Sequence, residues 1–93
     1  AASMILAVSR YLRPLEEVDQ ARSAHQDFLA TLDDRGLLVM AGRQRPPVGA
    51  VIVLRGDDAD GAQALLDDDP YVKRGLAAYS ITPFAAARGS VRD

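Results

Sequence analysis

The sequence predicts one α+β domain whose elements follow the order β-α-β-β-α-β. Two patterns carry this prediction. Short continuous apolar runs are typical of buried strands, and longer stretches with an apolar residue every three or four positions are typical of helices. The chain has 93 residues, which is enough for one hydrophobic core but not for two. Hydrophobic residues make up 48% and charged residues 26%, a balance that favours a folded globular protein over a disordered one.

The first strand and the first helix have the clearest boundaries. Met4–Val8 is an unbroken apolar run. Pro14 favours the first turn of a helix because its backbone is already close to helical geometry, and Gly36, which follows Arg35, is a natural residue to end that helix. The apolar stripe between them has helical spacing and consists of Leu15, Val18, Ala21, Ala24 or His25, Phe28, Leu29 and Leu32.

The rest of the chain predicts three further strands and a shorter helix. Pro46-Pro47 indicates a loop between the second and third strands, since a proline cannot donate to a sheet. Asp58 offers a side-chain oxygen to cap the second helix. In the last strand Tyr79 and Ile81 point to one face and polar residues to the other. The predicted elements are strands at 37–41, 50–54 and 77–84 and a helix at 58–67.

The domain itself is expected to span residues 4–84. Met4 is a natural start, so residues 1–3 are interpreted as a remnant of cloning. Residues 85–93 carry no periodic pattern and are expected to form a flexible tail.

This order of elements, with right-handed crossovers, predicts a ferredoxin-like βαββαβ sandwich with both helices on one face of the sheet. The first and third strands would be central and parallel. Strands such as Val51–Val53 are apolar on both faces, whereas a sheet with one solvated face usually alternates. We therefore expect a second copy to cover the bare face and form a homodimer. The alternative is that the C-terminal tail folds over it.

Composition and charge exclude several classes of partner. The net charge is −2, and the basic residues form no stripe of the kind that nucleic acids require. No apolar run approaches the ~20 residues of a membrane span. The chain has no cysteine, which excludes disulfides and thiolate nucleophiles and fits a cytoplasmic location. Nucleic-acid and membrane partners are therefore not expected.

His25 and Asp69 are the predicted catalytic pair. His25, the only histidine, lies on or beside the apolar stripe of the first helix. Asp69 follows the second helix, where the helix dipole disfavours negative charge. If the two helices run parallel from the same end of the sheet, both residues lie ~15 Å from that end on neighbouring helices. Asp69 could then hold one imidazole nitrogen and leave the other for proton transfer.

Each member of this pair also has a structural interpretation. A single histidine near a core is often a hydrogen-bonded structural residue, and an aspartate before proline often serves a turn. A metal site would have to be built from His25 and Asp67–Asp69 alone, because the chain has no cysteine and no second histidine. No metal is predicted.

Four other residues are candidates for substrate binding. Arg10 and Arg43 stand at strand ends and could bind an anionic group, while Ser9 and Tyr71 could donate hydrogen bonds. Solvated arginines and a packed tyrosine are the alternatives. The sequence contains no Gly-x-Ser-x-Gly and no glycine-rich phosphate loop, so neither a serine nucleophile nor an organic cofactor is predicted.

Several short motifs resemble those of the YciI-like (YCII-related) family. They are His25 followed by Phe28-Leu29, Gly36-Leu37-Leu38, Ala41-Gly42, Asp69-Pro70-Tyr71, Gly75-Leu76 and Pro83-Phe84. The resemblance spans Met4 to Phe84 and implies a dimeric α+β barrel of ferredoxin-like subunits. It also implies a small-molecule enzyme with His25 and Asp69 as the active pair in a cleft. The chain departs from the family at Arg43, where a proline often follows Ala-Gly, so the pocket rim is expected to differ.

Two functions from different classes follow. The first is an enzyme of the lyase or isomerase type, in which His25 is the general acid/base and Asp69 orients it. The second is a non-catalytic module that binds a metabolite or a partner on the same dimeric scaffold. His25 discriminates between them, because an enzyme needs its ring to face a pocket, whereas a structural histidine has both nitrogens satisfied inside the protein.

Overall fold

Residues 2–91, the part of the chain that this computed structural model describes, form four strands and four helices. Ala1 and residues 92–93, which belong to the expected cloning remnant and the expected tail, lie outside the described residues. The elements are β1 (Ala2–Tyr11), α1 (Leu15–Gln20), α2 (Arg22–Asp34), β2 (Leu38–Arg43), β3 (Ala50–Arg55), α3 (Ala59–Leu66), α4 (Pro70–Lys73) and β4 (Ala77–Ala86).

The strands form one sheet in the order β2-β3-β1-β4, and all neighbours are antiparallel. The predicted ferredoxin-like order of elements is confirmed. The predicted parallel pairing of the first and third strands is wrong, since β1 and β3 pair antiparallel with Val8 opposite Val51. The physical reason is the hairpin between β2 and β3. The helical crossover makes β2 parallel to β1, and the hairpin then reverses the chain before β3 pairs with β1.

Several boundaries differ from those that the sequence indicates. The long first helix is divided at Ala21, whose φ of −101° and ψ of 4° leave the helical region. No proline or glycine marks that position, so apolar spacing alone does not reveal the break. At the chain ends, Ala2 pairs with Ala86 and Ser3 with Ala85, so both outer strand ends are longer than predicted.

The hydrophobic core lies between the sheet and the helices. A larger cluster joins the inner face of β1 and β3 to α2 and α3, and a smaller one packs α1 and α4 against the start of β4. The larger consists of Ile5, Ala7, Leu29, Leu32, Ile52, Leu54, Ala62 and Leu66, and the smaller of Val18, Ala21, Tyr71, Leu76 and Ala77. The candidate site lies where the two clusters meet.

No helix of residues 2–91 packs on the opposite face of the sheet. Its central side chains are apolar and half-buried, with Leu6 opposite Val53 and Val8 opposite Val51. Met40 is 61% exposed. Residues 87–90 are exposed. Covering by a second copy stays a prediction.

Within residues 2–91, no helix has the length and apolar character that crossing a membrane demands.

Candidate active site

His25 and Asp69 lie in contact although 44 residues separate them in the sequence. Nδ1 of His25 is 2.9 Å from each oxygen of the Asp69 carboxylate. The contact was predicted, but from the wrong assumption that both helices start at the same end of the sheet. α1 and α2 follow the end of β1 at Tyr11, which pairs with Ala77 at one end of the sheet. α3 follows the end of β3 at Arg55, which pairs with Met4 at the other end. The helices therefore start at opposite ends of the sheet. Asp69, just past the end of α3, therefore lies beside the beginning of α2, where His25 stands.

Local backbone structure fixes Asp69. It is the N-cap of α4, and its Oδ1 accepts a hydrogen bond from the backbone N–H of Tyr71 at 3.0 Å. Pro70 occupies the first helical position, where its missing N–H costs nothing. The hydroxyl of Tyr79 donates to Oδ2 at 2.6 Å. With His25, three donors serve one carboxylate that has no exposed surface, which satisfies the rule that a buried charge must be hydrogen-bonded.

The plane of the imidazole is fixed by stacking. The rings of His25 and Tyr71 are parallel within 7° and their centroids are 4.0 Å apart. Tyr71 in turn meets Tyr11 edge to face at 6.0 Å. Burial raises the pKa of Tyr71 above its ordinary value of 10.0, so its hydroxyl stays protonated at neutral pH. The aromatic stack thus fixes the tilt of the imidazole, and Asp69 fixes its rotation.

The second imidazole nitrogen faces away from this network. Among residues 2–91, every side-chain nitrogen or oxygen that is cut off from solvent has a hydrogen-bond partner. Nε2 of His25 makes no such bond within this part of the chain, although the residue as a whole is only 4% exposed. Nε2 therefore touches solvent. Since an ionised carboxylate only accepts hydrogen bonds, Nδ1 carries the proton and Nε2 presents its lone pair when the ring is neutral.

His25 also borders a cavity. His25 lines a hollow of about 460 Å³ between α2 and the strands β2 and β3. Its apolar lining consists of Leu29, Ala30, Leu38, Ala41, Gly42, Ala50 and Ile52, and its polar lining of Tyr11, Arg22, Gln26, Asp33, Arg43 and the tyrosine that stacks on His25. Such a combination of apolar wall and few polar groups is typical of small-molecule sites.

Arg43 is a charged residue of the cavity lining. Its Nε donates to the Tyr11 hydroxyl at 3.0 Å, and Nη2 donates to the carboxylate of Asp19. The hydrogen bond to Asp19 is the main reason why the pKa of Arg43 is raised, and the guanidinium is therefore permanently charged. Arg22 on α2 is exposed and forms no ion pair with any residue of the described chain.

The remaining predicted residues are dispersed. Ser9 is buried, and its Oγ accepts a hydrogen bond from the Ala50 N–H at 2.9 Å, which joins β1 to β3. Arg10 is exposed and does not line the cavity. Asp67 and Asp68 are exposed beside the buried Asp69. Within residues 2–91 no three His, Cys, Asp or Glu side chains gather where they could hold a metal ion.

Tyr79 is the residue that sequence reasoning missed. The alternation of β4 placed it on the same face as Ile81, but only the antiparallel register shows that this is the face that meets Asp69. A tyrosine on a strand is usually packing. The signal that could have singled it out is its hydroxyl, because a polar atom on an inward face needs a partner and Asp69 is a strong acceptor.

Comparison with known proteins adds two findings and an absence. The structure is similar to that of the 5-chloro-2-hydroxyhydroquinone dehydrochlorinase from Burkholderia phenoliruptrix AC1100, solved in complex with 2,5-dihydroxybenzoquinone. The TM-score is 0.68 over 96% of this chain and 99% of that chain, and 19% of residues are identical, so the likeness concerns the fold. No curated protein matches the sequence. The sequence model of the YCII-related domain matches residues 4–85, nearly the whole chain, and this protein therefore belongs to the YCII-related family.

Proposed function

We propose that this protein is a small-molecule enzyme in which His25 is the general acid/base and Asp69 orients it. One observation carries the proposal. Nδ1 of His25 is held 2.9 Å from a fully buried carboxylate, while Nε2 has no hydrogen-bond partner among residues 2–91 and the residue lines a cavity of about 460 Å³. A structural histidine would have both nitrogens bonded within the protein, and this one does not.

The chemistry within reach is proton transfer of the lyase or isomerase type. Nε2 takes a proton from a carbon or oxygen of the substrate, and the Asp69 carboxylate stabilises the imidazolium that forms. The same nitrogen can return the proton to another atom or to a leaving group. A positioned acid/base of this kind contributes typically ~10²–10⁴-fold to a rate. The chain supplies no motif for an organic cofactor, so the proposal assigns the proton transfer to the protein's own side chains.

The lining of the cavity indicates a small substrate with an acidic group. The apolar wall suits a carbon skeleton. Arg43 and Arg22 place positive charge at the edge, and Arg43 stays charged because Asp19 stabilises it. The solved relative is named a dehydrochlorinase and holds a dihydroxybenzoquinone, a small oxygenated ring of the kind that this cavity could accept. Tyr71 contributes through the stack that fixes His25.

We also propose that the protein works as a homodimer through the open face of the sheet. Leu6, Val8, Val51 and Val53 form a continuous apolar centre that no helix covers. A two-fold axis across that face would bury the same residues of both copies. Dimerisation would leave the cavity free, because the cavity lies on the helical side of the sheet.

Titration of the single histidine tests the proposed function. NMR of the imidazole across pH should be carried out on the native protein and on Asp69→Asn, with Asp68→Asn as the matched control. We expect the ring to titrate, and the pH of half-protonation to fall in Asp69→Asn because the imidazolium loses its counter-charge. Asp68→Asn should leave it unchanged, since Asp68 is exposed and lies beside Lys73, 4.0 Å away, and not beside His25.

Hydrogen–deuterium exchange at carbon gives a second readout. The native protein should exchange acidic C–H groups of small hydroxylated ring compounds and keto acids with solvent deuterium, and His25→Gln should lose this activity by ~10²-fold or more. A ring that does not titrate, or that ignores Asp69→Asn, would contradict the proposed function and favour a non-catalytic binding module.

A further inference from the structure

We infer that Tyr79 is a positioning residue for the His25–Asp69 pair: its hydroxyl fixes the Asp69 carboxylate and weakens the attraction of that carboxylate for the imidazole proton. The inference rests on the proposed function, because it concerns the acid/base behaviour of His25. It adds a third residue to the pair, because Tyr79 on β4 then helps to set the pH at which the His25 ring is protonated.

The contacts of Asp69 carry the first step. Oδ2 accepts from the Tyr79 hydroxyl at 2.6 Å, and Oδ1 accepts from the Tyr71 N–H at 3.0 Å. His25 Nδ1 lies 2.9 Å from both oxygens. The carboxylate is therefore held at one oxygen by the backbone of α4 and at the other by β4. It cannot turn about its Cβ–Cγ bond without losing one of the two bonds. Only the Tyr79 bond comes from a side chain that substitution can remove.

The hydroxyl of Tyr79 is a permanent donor. Burial, followed by the charge of Asp69, raises the pKa of Tyr79 above its ordinary value of 10.0. The proton therefore stays on the hydroxyl throughout the range in which a histidine titrates. The aromatic ring of Tyr79 packs against the larger core cluster, and phenylalanine can fill the same space. Tyr79→Phe thus removes one hydrogen bond from Asp69 and little packing.

Electrostatics gives the sign of the effect. The O–H dipole of Tyr79 points its positive end at Asp69 and draws part of the negative charge away from His25. Removing the hydroxyl leaves the full charge of the carboxylate to the imidazolium, so His25 should hold its second proton up to a higher pH. Asp69→Asn removes the charge altogether and should have the opposite effect. If Tyr79 only filled space, removing its hydroxyl would leave the pH of half-protonation of His25 unchanged.

Other charged and titratable groups around His25 stay in place in Tyr79→Phe. Those that line the cavity or touch the ring come from α2, β1, β2, α4 and the turn before α4, and Asp19 on α1 acts through its ion pair. They are Arg22, Asp33, Tyr11, Arg43, Tyr71, Asp69 and Asp19. Because none of them changes, a shift in the titration of His25 reports the missing hydroxyl.

The test is an NMR titration of the imidazole of His25 in the native protein, Tyr79→Phe, Tyr79→Leu and Asp69→Asn. Both Tyr79 variants should move the pH of half-protonation upward, and Asp69→Asn should move it downward. Tyr79→Leu removes the same hydroxyl with different packing, so agreement between the two Tyr79 variants excludes a packing artefact. Tyr11→Phe is the matched control, because it removes the hydroxyl of a different tyrosine, one that lines the cavity and bonds Arg43 instead of Asp69.

The outcomes are separable. A downward shift, or no shift, in Tyr79→Phe while Asp69→Asn still shifts the ring overturns the inference and leaves the proposed function standing. An equal upward shift in Tyr11→Phe also overturns it, since the effect would then not come through Asp69. A ring that titrates in none of the proteins overturns the inference together with the proposed function.

Discussion

Two aspartates of this chain begin helices, and they do so at opposite ends of the sheet with different consequences. Asp58 caps α3, accepts the Gly61 N–H at 3.0 Å and is exposed to solvent. Asp69 caps α4 through the N–H of Tyr71, two residues on, but it is fully buried and also accepts from His25 and Tyr79. The local role is identical. Burial and two additional donors make one of them the centre of a polar network.

The hollows beside these caps differ in the same way. The hollow beside Asp58 measures about 190 Å³ and is lined largely by apolar side chains and exposed loop residues. The cavity at the His25 end is about 460 Å³ and is lined by His25 itself. A helix-capping aspartate such as Asp58 is not by itself a candidate catalytic group. Asp69 becomes one because the fold places the His25 ring against it and buries its carboxylate away from water.

The largest expected contrast is in stability. Asp69→Ala removes the acceptor of three buried donors, and breaking a buried charged pair costs about 3–5 kcal/mol. Asp58→Ala removes only an exposed cap and should cost about 1 kcal/mol. Urea unfolding of both variants measures the difference. Equal losses in the two variants would mean that the network around Asp69 adds nothing to its role as a cap.

The second contrast concerns alkaline pH. The pKa of Tyr79 is raised, so the unfolded chain loses the tyrosine proton above pH 10.0 while the folded chain keeps it. Stability from this group is therefore complete below pH 10.0 and declines above it, by about 1.4 kcal/mol per pH unit where only the unfolded state is ionised. The free energy of unfolding should fall less steeply with pH in Tyr79→Phe than in the native protein. Parallel pH profiles would show that Tyr79 ionises freely in the folded state.

The smallest contrast tests the exposed cap. A Cβ at Gly61 would lie 2.6 Å from Oδ2 of Asp58, so Gly61→Ala must displace that side chain. The gain in helix propensity, about 1 kcal/mol, is then offset by the weakened cap. In an Asp58→Ala background the same substitution should give its full gain. A double-mutant cycle by urea unfolding should therefore show coupling of about 0.5–1 kcal/mol between Gly61→Ala and Asp58→Ala. If the two effects are additive, the added methyl group does not disturb the Asp58 cap.

The sequence predicted the order of elements and the two residues of the pair, but not the reason why they meet. The apolar runs and the cap residues are local signals, and they placed the four strands and the helix after β3 within a few residues. Strand direction is not local. It follows from the β2–β3 hairpin, and the assumption of parallel central strands put both helices at the same end. His25 and Asp69 still meet, because Asp69 follows the end of its helix while His25 lies near the start of α2.

Other features had no signal in the sequence. The break at Ala21 involves neither proline nor glycine, and the irregularity between Leu38 and Met40 in β2 depends on pairing with β3. The hydroxyl contact between Tyr79 and Asp69 requires the register of β4, which no single segment specifies. Ser9 could be recognised as polar within an apolar strand, but its bond to the Ala50 N–H depends on β3 lying alongside.

The close approach of Gly49 to β1 has a practical consequence for redesigning the pocket. A Cβ at Gly49 would lie 1.8 Å from the Ser9 carbonyl oxygen, so no side chain fits there. The loop before it is tied down at both ends, by the Tyr11 N–H on the Val48 carbonyl and by the Gln44 N–H on the Gly49 carbonyl. Insertions that are meant to reshape the cavity rim therefore belong between Arg45 and Pro47. Gly49 itself has to be kept, because an altered loop must still pass through this position to enter the sheet.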